Sequence, residues 1–368
     1  MRASSEGGGT PSDRGLRVSV GICAAILVVT ALNFSGPVLA PLSFALLIIA
    51  IIWPVQKRLQ MWLPKLVALA LIMLGTVVVV TEFTSLITWS FGRVGRFVIN
   101  DSSRYQVLYG QVAEWLEGHG IAVAGLWAEH FNVAWMIGLF RDLTVRMNDM
   151  LSFSVVMLTY VILGVLEVDV IAAKLRAAET GEFGNVLLTG ATQTAAKFRR
   201  YMLVRTLMSV ATGLLVWGFA AAVGLELAAE WGMIAFALNY IVFIGPLIAT
   251  VFPTLFAIAQ FGSLEMAVVV FVCLNLIQFI VGSYFEPRVA GGALAISPFL
   301  VLFAVFFWTF LWGITGAFIG VPIVIAALTL CERHPSTRWI ADLLDGSEKP
   351  KIASIPVDVP ESRDQKKA

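Results

Sequence analysis

The sequence predicts an all-α, polytopic membrane protein with about eight helical elements, two of them Gly/Pro-broken or re-entrant, plus an amphipathic helical insert. Three observations carry this. Hydrophobic residues fill 59% of the 368 positions and charged residues 13%, against roughly 45–50% apolar and about 25% charged in soluble domains. The mean hydropathy is +0.87, so lipid is the solvent for most of the surface. The charges that remain collect between long apolar runs instead of alternating with them. A formal net charge of +1 gives no sign of a nucleic-acid partner.

Residues 1–16 are rich in Gly, Ser and charge and read as a disordered cytoplasmic tail. Residues 17–90 hold a hairpin of two apolar runs and a third span. Arg14 and Arg17 precede the first run, which reads as a retained signal anchor. A cut after Val38-Leu39-Ala40 would be followed at once by Pro41 and a second apolar run. The runs 18–34 and 36–53 are parted by Asn33-Phe34-Ser35-Gly36-Pro37, and Trp53 with Lys57 and Arg58 marks an interface beyond the second. The third run, 66–90, is long enough to cross with some tilt.

Residues 91–150 form the insert, expected outside the cytoplasm. Charges alternate there with aromatic and aliphatic residues, and Phe91, Val94, Phe97 and Val98 fall at helical spacing. Such helices lie on the membrane or pack against the bundle. Residues 151–330 form the core bundle: runs at 151–171 and 202–224, an apolar stretch 231–260 broken at Ile244-Gly245-Pro246, a span 264–284, and a stretch 298–330. That last stretch carries the structural breaks Gly313, Gly316, Gly320 and Pro322. Residues 331–368 read as a cytoplasmic tail. Lys57, Arg58, Lys65, Lys174, Arg176, Lys197, Arg199, Arg200, Arg333 and Arg338 all fall on one side if the N-terminus is cytoplasmic, and the C-terminus is expected to return there. That return requires each broken stretch to be a hairpin or a re-entrant element.

Chemistry in such a chain is sought where backbone or charge is exposed at membrane depth. The segment around Asn239, Tyr240, Gly245 and Pro246 is one candidate for a substrate path; a plain Pro-kinked helix is the alternative. The other is Asn275, Gln278, Glu286 and Arg288, the first two about one turn apart on an apolar helix. Glu286 and Arg288 either pair with each other or sit at the interface. Glu82 and Arg205 lie near run ends, where snorkelling explains them. Cys23, Cys273 and Cys331 show no disulfide or metal spacing, and His119, His130 and His334 form no ligand pair. No metal, cofactor or catalytic residue is expected. An intramembrane protease would need a Ser-His or Asp-Asp pair inside the spans, and none is there.

The run from Trp231 to Ile241 with Ile244-Gly245-Pro246, then Glu286-Pro287-Arg288-Val289, Ser297-Pro298, Leu311-Trp312-Gly313, Gly316-Ala317 and Val321-Pro322, resembles the autoinducer-2 exporter family, the PerM-like permeases. The match in order and spacing covers 198–330, and the layout before it also fits. Two positions depart from the family pattern: Val242 stands where Pro is usual, and Ser297 where His is frequent. The resemblance implies a secondary transporter of the inner membrane without enzymatic activity, homo-oligomeric and in some members pentameric. Its substrate would be a small polar signal resembling autoinducer-2. Sodium or lithium exchanged for protons on the same fold is the alternative, and a non-transporting assembly protein a third reading. The Walker sequence G-x-x-x-x-G-K-[ST] is absent.

Overall fold

The computed structural model describes residues 11–100, 133–177, 181–290, 296–332, 337–344 and 346. Its long elements are all α-helices, and eight stretches are long and apolar enough to cross a membrane. In chain order these elements are α1 (Pro11–Phe34), α2 (Gly36–Leu59), α3 (Lys65–Asn100), α4 (Val133–Ala177), α5 (Gly181–Val223), α6 (Ala228–Leu238) and α7 (Ile244–Phe261). There follow α8 (Leu264–Phe279), a π-helical turn (Ile280–Phe285), α9 (Glu286–Ala290), α10 (Pro298–Cys331) and α11 (Arg338–Leu344). The chain is thus an all-α polytopic membrane protein.

The break between α1 and α2 follows from Ser35-Gly36-Pro37, because Pro is tolerated in the first turn of a helix, where its missing N–H has no partner to lose. Helices α2 and α4 then pack Ala45 and Ile49 against Met157, Val161 and Val165. Helix α3 runs past the expected end of its span as one continuous helix to Asn100. Val94 is buried there, with Phe91, Phe97 and Val98 packed on the same cluster as Trp231 and Phe256. The amphipathic start of the insert therefore lies against the bundle. Residues 101–132 of that insert fall outside the described residues.

Both broken stretches fold back on themselves. In the first, α6 and α7 are joined by the non-helical residues 239–243, in which Phe243 takes φ +64°. The kinked-helix alternative does not apply. Gly245 and Pro246 sit just past the break, in the first turn of α7, and not at the break itself. A Cβ at Gly245 would collide with the carbonyl oxygen of Leu238, so only glycine lets the arms meet this closely. The open ends of this hairpin are tied by Gln260, whose side-chain oxygen accepts from the Glu226 N–H at 2.8 Å and whose amide donates to the Gly224 carbonyl at 2.7 Å. With 11 residues, α6 reaches about 16 Å at 1.5 Å per residue, half of a bilayer core of about 30 Å. It re-enters and does not span.

The second fold-back lies inside α10, where Trp312 (φ −127°, ψ 17°) and Gly313 (φ 61°, ψ −141°) leave the helical region. A Cβ at Gly316 would meet the Trp308 carbonyl, and one at Gly320 would lie 2.9 Å from the Ala304 carbonyl. Residues 16 positions apart touch only if the two arms run antiparallel. The tip is pinned to the link between α1 and α2. The Trp312 indole donates to the Leu32 carbonyl at 2.9 Å, and the Asn33 amide donates to the Leu311 carbonyl at 3.1 Å. The two hairpins meet: Ile241 of the first tip packs with Val305, Ala317, Val321 and Ile325 of α10.

Candidate substrate site

The tip of the first hairpin rests on α5. Asn239 is 6% exposed, and its side-chain amide donates to the Ser209 hydroxyl at 3.2 Å. Beside it the Tyr240 hydroxyl donates to Thr206 Oγ1 at 3.0 Å. Successive turns of α5 thus hold the unwound backbone by side-chain hydrogen bonds, which a segment without its own ladder requires at membrane depth. Thr212, one turn further along, is fully buried, and its hydroxyl has no partner among the described residues.

One turn before Ser209 stands Arg205, 4% exposed. Its Nη1 donates to both carboxylate oxygens of Glu286, at 2.8 and 2.9 Å. Snorkelling, expected for Arg205, does not occur, because the guanidinium turns inward to a counter-charge. Breaking such a pair would leave an uncompensated buried charge, at a cost of roughly 3–5 kcal/mol. Glu286 does not pair with Arg288. That side chain is exposed and lies over the Tyr284 ring, 3.8 Å from its centroid.

Pro287 explains how Glu286 reaches α5. Proline offers no N–H to the carbonyl four residues back and its ring crowds that turn. The helix relaxes into the π turn Ile280–Phe285, and the Glu286 N–H bonds the Val281 carbonyl, five residues back. The added residue rotates everything beyond it. The same contact is reinforced where Arg200 donates to the Val289 carbonyl at 3.3 Å and where Val204 and Met208 pack on Val281.

A cavity of about 90 Å³ opens between these groups. Phe44 and Ile48 of α2, Tyr201 and Arg205 of α5, Tyr240 of the tip and Pro322 of α10 border it. The structure therefore brings Tyr240 and Pro322 to the cavity, with Asn239 bonded to Ser209 beside Tyr240 and Glu286 linked to it through Arg205. It does not bring Asn275 there. That residue is exposed and donates to the Phe271 carbonyl of its own helix at 2.8 Å, while Gln278 is half-buried. Gly313, Gly316 and Gly320 shape the second hairpin. Arg205, Tyr201, Thr206 and Ser209 were not among the expected site residues. The available signal was a cation inside the 202–224 run and a carboxylate just past the end of the 264–284 span.

A second ion pair lies in the first turn of α6, where Glu230, 3% exposed, faces Arg93 of α3 at 2.7 Å. It anchors the entry of the hairpin to α3. Among the described residues no group of three or more His, Cys, Asp or Glu could hold a metal ion.

The family model for the AI-2E family transporter matches residues 22–335. The chain is 24% identical over 340 residues to the AI-2 transport protein TqsA of Escherichia coli, covering 91% of this chain and 97% of that one. Two further relatives both carry the name "Putative transport protein". One, from Borreliella burgdorferi, is 32% identical over 150 residues, 40% of this chain and 41% of its own. The other, from Haemophilus influenzae, is 22% identical over 347 residues, 90% of this chain and 97% of its own.

Proposed function

We propose, from the premise that this chain belongs to the AI-2E transporter family, that it is a secondary exporter of a small polar molecule resembling autoinducer-2. The path runs past the tip of the first hairpin. The observation that supports this most is the unwound segment 239–243, held by Ser209 and Thr206 of α5 beside a cavity that Arg205 and both hairpins border. Broken helices of this kind supply free backbone groups and dipole ends to a substrate near the bilayer midplane. Asn239 donates and accepts hydrogen bonds, and Gly245 and Pro246 hold the turn that follows. The substrate assignment leans on the name of TqsA. The protein works in the bacterial inner membrane as a homo-oligomer, pentameric by family likeness, with both termini in the cytoplasm. No phosphate-binding loop of the Walker type occurs in the sequence, so ATP energy would have to come from another chain.

Proteoliposome flux tests the reading. Autoinducer-2 and labelled sodium are each followed with and without a proton gradient. Autoinducer-2 flux is expected, reduced at least tenfold by Asn239→Ala and by Glu286→Gln. Sodium–proton exchange without organic flux would favour the antiporter instead. Normal flux in both variants would place the path elsewhere in the bundle.

A further inference from the structure

We propose that the cavity at Arg205 also binds a short-chain monocarboxylate, a ligand distinct from the exported polar molecule, whose carboxylate Arg205 anchors, and that Glu286 holds the guanidinium in its absence. This rests on the reading that the path runs past the first hairpin tip.

The grip of Glu286 on Arg205 is incomplete. Both carboxylate oxygens bond the same nitrogen, Nη1, at 2.8 and 2.9 Å. Nε is shielded and has no acceptor among the described residues. A guanidinium carries five donors in a planar fork that suits a carboxylate through two nitrogens at once. Glu286 leaves part of that fork unused. It is also the more exposed partner, with 28% of its side chain exposed against 5% for Arg205. A carboxylate arriving through the cavity meets a cation whose present counter-charge is partly open to solvent and uses one nitrogen of the fork.

Charge then selects the ligand. A cation out of water keeps a counter-charge or pays heavily for losing it. A neutral ligand leaves Glu286 where it is, and a metal cation meets the guanidinium's repulsion. Only an anion can take the place of Glu286. The cavity beside Arg205 is bordered by Phe44, Ile48, Phe318 and Pro322, so the body joined to that anion is apolar. At about 90 Å³ it is also short, since drug-sized pockets span roughly 300–1,000 Å³.

The test is equilibrium binding of propionate, butyrate and hexanoate to the full chain in nanodiscs. Their primary amides, sodium ion and inorganic phosphate serve as comparison probes, and Glu286→Gln and Arg205→Gln are measured alongside. Each carboxylate is expected to bind at least tenfold more tightly than its amide. Glu286→Gln is expected to tighten carboxylate binding at least fivefold, because it removes the competitor, and Arg205→Gln to abolish it. Equal binding of carboxylates and amides overturns the inference, as does carboxylate binding unchanged or weakened in Glu286→Gln. Phosphate binding as tight as butyrate overturns the apolar-body part of it. If either variant fails to fold, the carboxylate–amide comparison on the unaltered chain decides alone. Autoinducer-2 flux that is lost in Asn239→Ala yet indifferent to carboxylates would overturn this inference and leave the path standing. Carboxylate binding with the Glu286 signature in a chain that moves nothing across vesicles would do the reverse.

Discussion

At position 245 there is no room for a methyl group, because it would fall on the carbonyl oxygen of Leu238, which belongs to the facing arm. Backbone cannot yield as a flexible side chain can, so Gly245→Ala should cost about 3 kcal/mol, the upper part of the range for overpacking. Gly282, with nothing within 4 Å of an added Cβ, is the matched control, and Gly282→Ala should change stability by less than about 0.5 kcal/mol. Thermal unfolding of the two purified variants in one detergent checks this, and similar midpoints would contradict it. Residues of this kind were legible in the sequence, since Gly and Pro announce where regular structure fails. The partner of Arg205 was not. Arg205 and Glu286 stand 81 positions apart, and no spacing rule relates residues on different helices. Proximity in sequence pointed to Arg288 instead, but the π turn ahead of Pro287 rotates Glu286 toward α5 and leaves Arg288 outside.

Among the elements, α2 shows how a proline inside a membrane helix is accommodated. Pro54 lacks the N–H that would bond the Ala50 carbonyl. Arg199 of α5 supplies the missing donor, its Nη1 lying 2.8 Å from that oxygen. The carbonyl left free by a proline in one helix thereby becomes a docking point for another, and α2 and α5 form two of the walls of the cavity. The pairing predicts a thermodynamic coupling. Arg199→Gln should cost about 2 kcal/mol in the native chain, the range for a hydrogen bond from a charged group. In a Pro54→Ala background an alanine N–H reclaims the carbonyl, and the same change should cost less than about 1 kcal/mol. A double-mutant cycle on unfolding free energies measures the difference, and a coupling of zero would show that Arg199 acts elsewhere. The apolar runs predicted the spans well, because their length and composition are local properties. Helix ends were read less well: α3 continues to Asn100 where its apolar run stops near 90. Its last turns are amphipathic and pack on α6 and α7 through Val94 and Phe97, a contact that no local pattern specifies.

The whole molecule obeys a parity that both hairpins leave untouched. Helices α1 to α5 are each long and apolar enough to cross in alternation, and α8 with its π turn and α9 to cross once more. The first hairpin returns to the end it left, as the Gln260 bonds to Gly224 and Glu226 require. The second returns as well: its tip meets Leu32 and Asn33 at the far end, while the Ser297 N–H at its start bonds the Leu344 carbonyl at 3.3 Å. Six crossings bring the chain back to the end from which α1 departs. That end also holds the Lys57–Asp169 and Lys197–Glu332 ion pairs, at 2.9 and 2.8 Å. Lys174, Arg176, Arg200 and Arg338 lie on the same stretches of chain. Cations flanking spans favour the cytoplasmic face, so both termini are expected there. The three free cysteines, Cys23, Cys273 and Cys331, are first replaced, and single cysteines are then placed at positions 10 and 350. An impermeant maleimide applied to intact cells should label neither, and both should react once the membrane is opened. Labelling of both in intact cells would invert the molecule, with the Arg205–Glu286 pair moved to the outer side. Labelling of only one would break the parity, and one of the two hairpins would then have to cross.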